Sequence, residues 1–222
     1  MENYLKPTAF FDYHKPEVQA WIDQQLEAVP NDPVEQAKAL YLAVRDRVHY
    51  NPYVFQTDPH SLSASYALAS GESYCIPKAV LLGAAARAIG IPSRLGLADV
   101  RNHLSSPKLI AWLRSDIFRM HGFIELYLNG RWVKATPAFN RQLCDMMKVE
   151  ALEFDGVHDS VFQEFTESGQ AHMEYINDHG VFDDVPHRFI VDGVRAAYGH
   201  LFTDDGEPAE ARASLEQDLS EN

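Results

Sequence analysis

Apolar side chains recur at helical spacing twice before residue 50. In PEVQAWIDQQLEAV, residues 16–29, Val18, Trp21, Ile22, Leu26 and Val29 follow a 3.6-residue period. Val34, Ala37, Leu40, Tyr41, Val44 and Val48 repeat that pattern across NDPVEQAKALYLAVRDRVHY. Two amphipathic helices are predicted, the second with Asn31 or Asp32 as its cap and Pro33 in its first turn. Residues 51–72 read as loop and short helix, broken by Asn51-Pro52 and Asp58-Pro59. From Ile76 to Ile89 the pattern changes: apolar residues occupy nearly every side, Lys78 and Arg87 are the charged exceptions, and Gly90 and Pro92 supply a stop. A helix apolar all round is predicted to be central and buried.

Strand signals follow. SRLGLADV predicts a short strand, and 101–120 reads as an irregular, partly helical connection whose Trp112 is a candidate lid residue. Residues 121–140, HGFIELYLNGRWVKATPAFN, predict a hairpin closed by Asn129-Gly130 in a type I′ turn. A two-residue loop sets Leu128 opposite Arg131, Tyr127 opposite Trp132, Glu125 opposite Lys134 and Phe123 opposite Thr136. The Glu125–Lys134 charge match supports that register. Period-two alternation puts His121, Phe123, Glu125 and Tyr127 on one face, the face expected to meet the buried helix. Residues 141–202 mix loops with a predicted strand in QAHMEYI.

Charge changes the picture mainly at the end of the chain. The formal net charge is −13, and residues 203–222 carry seven acids against Arg212. That stretch predicts an acidic, disordered tail after a single domain spanning 1–202. No local basic patch offsets the acidity, which argues against nucleic acid and anionic membranes as partners. The N-terminus lacks a basic segment followed by an apolar core, and no apolar run approaches the ~20 residues of a membrane span, so the cytoplasm is the expected location. There, Cys75 and Cys144 are expected to be free thiols.

Cys75 sits at the start of the buried helix. A helix N-terminus lowers a thiol pKa and offers backbone N–H groups to a developing oxyanion, the two things a cysteine nucleophile needs. His121, 46 positions downstream, is the candidate general base and acid. His172, His179 and His187 lie among acids, but no recognised ligand spacing accompanies them, and no Gly-rich phosphate loop occurs. Neither a metal nor an organic cofactor is therefore expected.

Three blocks carry a family resemblance: AKALYLAVRDRVHY, then ASYALASGESYCIPKAVLLGAAARAIGIPSRLGL, then HGFIELYLNGRWVKATP. Together, over about 35–140, they resemble the core of the transglutaminase-like superfamily, the papain-related thiol enzymes. The resemblance implies an α+β fold with helices packed on an antiparallel β-sheet, Cys75 as nucleophile and His121 as its base. It also implies an acidic orienter just before a proline on the next strand. Here Trp132-Val133-Lys134-Ala135-Thr136-Pro137 places Thr136 in that slot, diagonal to His121 and about 7–8 Å away between backbones on the hairpin register. Asn140 is a second candidate orienter, and Asp99, Asp116, Asp155 and Asp159 are others. The family's Gly-x-Cys is Ser73-Tyr74-Cys75 and its His-Ala-Trp is His121-Gly122-Phe123. Tyr74 is a candidate oxyanion donor or pocket wall. The implied activity is thiol-dependent acyl transfer on an amide or peptide substrate, free or within a protein: a cysteine protease or amidase if water is the acceptor, a transglutaminase if an amine is. With threonine in the acidic slot, the competing expectation is a catalytically impaired fold serving as a binding module.

Overall fold

The computed structural model describes residues 1–103, 105–161, 173–209 and 214–220. Both early helices form where periodicity puts them: α1 is Pro16–Leu26 and α2 is Pro33–Arg47. Asp32 caps α2, its carboxylate accepting from the N–H groups of Val34 (2.9 Å) and Glu35 (3.0 Å). A short parallel pair, β1 (His49–Tyr50) and β2 (Glu72–Ser73), brackets helix α3 (Ala64–Ser70). Helix α4 (Cys75–Ala88) comes next and is the hub, with α1, α2 and α3 packed around it. All its residues but Ala88 are buried, which is why its sequence shows no polar face.

The opposite side of α4 lies on a four-stranded antiparallel sheet ordered β5-β4-β3-β6. Its strands are β3 (Ser93–Asn102), β4 (Ile117–Leu128), β5 (Arg131–Ala135) and β6 (Met173–Phe182). The architecture is the expected α+β arrangement. Helix α5 (Pro107–Leu113) joins β3 to β4, so the predicted irregular connection is shorter than expected and its last residues are already strand. The QAHMEYI strand begins at Met173; residues 170–172 lie outside the described residues. Helix α6 (Arg141–Met147) packs against α2, and helix α7 (His187–Ala197) packs against β4.

The hairpin keeps its predicted register from Leu128↔Arg131 through Glu125↔Lys134 to Ile124↔Ala135. Asn129 and Gly130 both take positive φ, 50° and 83°, as a type I′ turn requires. Pro137 cannot donate to a ladder, and β5 ends at Ala135, so the expected Phe123–Thr136 pair does not form.

Two close approaches lock α4 to β4. A Cβ on Gly83 would lie 2.6 Å from Ile124 Cδ1, and one on Gly122 would lie 2.8 Å from the Ile76 Cα. These contacts correct the face assignment. Gly122 and Ile124 turn toward α4, whereas Phe123 packs with Ala98, Val100 and Met173 in a separate cluster. The alternation holds, but the small residue Gly122 marks the face in contact with the helix.

The two charged exceptions in α4 tie neighbouring segments to it. Arg87 donates to the carbonyls of Lys6 (2.8 Å), Ser93 (2.9 Å) and Asp183 (2.7 Å), with its guanidinium over the Phe11 ring. Lys78 is fully buried and donates to the carbonyls of Arg45 (2.9 Å) and Val48, capping the C-terminus of α2 from inside. Burial pushes its amine down to about 7. Lys78→Met should cost about 1–3 kcal/mol by leaving those carbonyls unpaired, read as a lower urea midpoint at unchanged slope.

Of residues 203–222, expected from composition to be a disordered tail, 203–209 and 214–220 are described. Within the described part, Leu215–Ser220 forms helix α8 with Leu215 and Asp218 buried. Thr57 Oγ1 donates to Glu207 (2.5 Å), and Glu216 bonds His49 and Asn140. Several of the acids counted as solvating charge therefore serve as hydrogen-bond acceptors.

Candidate active site

Cys75 opens α4, and Tyr74, its N-cap, makes no side-chain capping bond. The first-turn N–H groups are thus left to other acceptors. Those of Cys75 and Ile76 favour charge on the Cys75 sulfur, and Gly122 N donates to it across the helix–sheet junction at 3.3 Å. That approach depends on Gly122 having no side chain.

Cys75 and His121 line one cavity of about 90 Å³, bounded by aromatic side chains that include Tyr74, Trp112 and Tyr198. The candidate lid residue Trp112 is part of its wall, edge-on to Tyr53. His121 also borders a second space of about 10 Å³, roughly the room one water needs, and Thr136 lies on that space's wall. The imidazole therefore stands between the thiol cavity and the threonine.

A bulge presents His121. The β3–β4 register slips between Ala98 and Val100, and Met120 adopts a left-handed φ of 58°. Asp99, almost wholly buried, holds this distortion in place. Its carboxylate accepts from Met120 N (3.2 Å), Arg119 Nη1 (2.7 Å) and His179 Nε2 (2.8 Å). Those bonds keep Asp99 ionised and depress its pKa. Nothing in the local sequence distinguishes Asp99 as a clamp, because the bulge it supports depends on pairing between strands.

The remaining candidate orienters are engaged elsewhere. Asn140 accepts from Tyr50 N (3.0 Å) and donates to Glu216 (3.2 Å). Asp116 pairs with Arg101, Asp155 with His158, and Asp159 accepts from Lys134 N. Among the described residues, no carboxylate hydrogen-bonds His121. Four buried side-chain atoms there have no hydrogen-bond partner, and three belong to this site: Tyr74 Oη, His121 Nε2 and Thr136 Oγ1. Buried polar atoms are normally paired, so such a concentration marks a place where bonds are made with something else.

The electrostatics differ from the expectation that the helix terminus would lower the thiol pKa. Burial pushes Cys75 up to about 11, outweighing the N–H groups around the sulfur. Burial also takes His121 down to about 4. The resting pair is a neutral thiol and a neutral imidazole. His121 has a testable consequence for stability. Its folded pKa lies below the ordinary histidine value, so the unfolded chain binds the proton first as pH falls. The contribution is intact above about 6.5 and is lost on descent through about 4, at a cost of roughly 3 kcal/mol. His121→Gln should flatten that limb of the denaturation profile.

No metal site emerges among the described residues, where no group of three or more His, Cys, Asp or Glu side chains is arranged to hold an ion. His172 lies outside them. No described helix is long and apolar enough to cross a membrane.

A thiol at a helix N-terminus and an imidazole on the adjoining antiparallel sheet define a papain-like thiol architecture. The transglutaminase-like superfamily model matches residues 21–137, more than half of the chain, and the protein belongs to that superfamily. Among solved structures it is similar to one described as a "Putative Cysteine Protease from Cytophaga hutchinsonii", at 19% identity and a TM-score of 0.46. The match covers 60% of this chain and 40% of that one, so the chain spans well under two thirds of the other protein's length. No curated protein matches.

Proposed function

We propose that the protein catalyses thiol-dependent acyl transfer on an amide or peptide carbonyl, with Cys75 as nucleophile and His121 as general base and acid. The observation that carries this reading is the shared cavity: sulfur and imidazole, 46 residues apart in sequence, line one space, with Gly122 N directed at the sulfur. As the sulfur bonds to the carbonyl carbon, its proton passes to His121 and the carbonyl electron pair moves onto oxygen. Backbone N–H groups at the helix terminus bind that oxyanion. Collapse breaks the bond to the leaving group, which takes the proton from His121. Water, or an amine, then attacks the thioester, gives its proton to His121, and the C–S bond breaks as the thiol is reprotonated. No step needs a metal or an organic cofactor.

Because the resting pair is neutral, His121 acts on the thiol during attack rather than holding a preformed thiolate. Thr136 is the positioning residue for the imidazole. Its hydroxyl acts on the ring through a water in the space of about 10 Å³ that both residues line, without the charge by which a carboxylate supports an imidazolium.

A second reading has its own support. The raised thiol pKa and the uncharged slot also suit a quiescent binding module. The two separate on exposure to 4-nitrophenyl acetate: acyl transfer places an acetyl group, labile to hydroxylamine, on the Cys75 peptide in intact-mass and peptide-mass spectra. Equal, slow modification of Cys75 and Cys144 would instead favour the module.

A further inference from the structure

The wall of the Cys75 cavity is chemically one-sided. Its rings come from segments far apart in sequence, among them Tyr53, Trp112, Phe118 and Phe202. The polar groups that accompany them are mostly committed. Tyr53 Oη donates to Asp218 at 2.5 Å, and Tyr198 Oη donates to the Ile117 carbonyl at 2.6 Å while accepting from Arg119 N. The Arg119 guanidinium, the one permanent charge among the described residues of the wall, is bound by Asp99 at 2.7 Å. A charged ligand group would find no free countercharge and would lose its hydration.

Two hydroxyls differ: those of Tyr50 and Tyr74 both belong to the wall and lie near the Cys75 sulfur, and Tyr74 is the one next to it in sequence. Tyr74 Oη belongs to the residue before the nucleophile, is buried, and has no partner. Burial and the nearby Cys75 sulfur hold its pKa well above the ordinary tyrosine value, so it remains a donor. A buried hydroxyl left unpaired in the free protein gains a bond when a ligand brings an acceptor. An acyl group matches this division, with an apolar tail and one carbonyl oxygen at the reacting end. The volume bounds the tail. About 90 Å³ exceeds a water several-fold but falls short of the ~150 Å³ cavity that takes up benzene.

Resting on acyl transfer at Cys75, we propose that this cavity is an acyl pocket for a compact, uncharged apolar group smaller than benzene, roughly three to five carbons, whose carbonyl oxygen is met by Tyr74 Oη. The tail belongs either to a free branched acyl group or to a leucine-like residue of a peptide; both present the same chemistry to the wall.

The test compares 4-nitrophenyl esters of 3-methylbutanoate, N-acetyl-leucine, acetate and hemisuccinate, reading kcat/KM and acylation of Cys75 by mass. One or both branched esters should exceed the hemisuccinate by at least ~100-fold, and whichever leads identifies the source. Phe202→Ala should move the optimum to longer tails and Val194→Phe to acetate, with folding of each checked by thermal denaturation. Tyr74→Phe should lower all rates by ~10- to 100-fold without reordering the esters, and should leave Tm unchanged or raised. Cys75 acylation without tail preference, or Tyr74→Phe at full rate, overturns the proposal and leaves acyl transfer standing. If no ester acylates Cys75, the acyl-transfer reading fails. Titrating Cys75→Ala with 3-methylbutanamide then decides the pocket alone: a shifted Trp112 indole N–H resonance supports it, and an unmoved one overturns it.

Discussion

Cys75→Ala should reduce acyl transfer by at least ~10⁴-fold, whereas Cys144→Ala should leave it unchanged. Composition does not separate these two cysteines, and neither does acidity: both are buried, and burial raises each thiol to about 11. Position does. Cys144 Sγ donates to the Phe139 carbonyl at 3.9 Å from within α6. Cys75 receives Gly122 N at 3.3 Å and shares a cavity with an imidazole. His121→Ala should approach the loss seen on removing the sulfur, and the double variant should be scarcely worse than either, because nucleophile and base act as one unit. Initial rates with an activated ester, read beside the hydroxylamine-labile adduct, check both statements. A Cys75→Ala protein that retained its rate would transfer the chemistry to another group.

On the proposed mechanism the same pair should govern how pH acts on the reaction. With His121 at about 4 and Cys75 at about 11, neither group changes charge between those values in the free protein. Above about 9, where an ordinary cysteine ionises, the unfolded chain releases its thiol protons before the folded one does. Stability therefore falls from about 9 upward, and the two cysteines complete their share of that loss near 11. A flat pH dependence of acylation between about 4 and about 11 is therefore expected wherever the protein stays folded, read as initial rates beside a stability profile.

What the sequence revealed and what it concealed divide along one line. Helix α4 was legible because a segment apolar on every side has few alternatives to burial, and the hairpin was legible because Asn129-Gly130 fixes the count of residues between partners. Cys75 and His121 followed, since their places depend on those local features and on the family's spacing. The orientation of the sheet was less accessible. Gly122 and Phe123 alternate correctly, but which face meets α4 depends on how closely Ile76 can approach. The clamp at Asp99 was invisible for a related reason: its three donors lie in β4 and β6, and nothing near Asp99 in sequence announces them. In the acidic C-terminal stretch, charge density describes solvation on average and does not register Leu215, which is buried.

Thr136→Asp should raise kcat for acylation at neutral pH by ~10- to 100-fold and move the His121 pKa upward. His121 Nε2 and Thr136 Oγ1 have no hydrogen-bond partner, and both residues line one water-sized space. A carboxylate there would accept from the imidazole and favour the imidazolium formed when the thiol gives up its proton. Charge-assisted bonds are roughly twice as strong as neutral ones, which sets the scale of the gain. The opposing effect is desolvation. Thr136 is 5% exposed, and its surroundings include Ala138, Phe139, Leu152 and Met173, so an unpaired aspartate would be costly. The two forces make distinct demands. If the aspartate meets His121, the imidazole titrates higher by NMR, the rate rises, and the acid limb of stability shrinks. If burial wins, the carboxyl stays protonated, the rate is unchanged, and Tm falls; then the threonine's neutrality suits its apolar surroundings, and the slot contributes orientation alone. Thr136→Val separates that remaining role, because it keeps the shape and removes the hydroxyl. A lower kcat at unchanged KM would mark the hydroxyl as the group that holds the imidazole, whereas an unaltered rate would remove Thr136 from the mechanism.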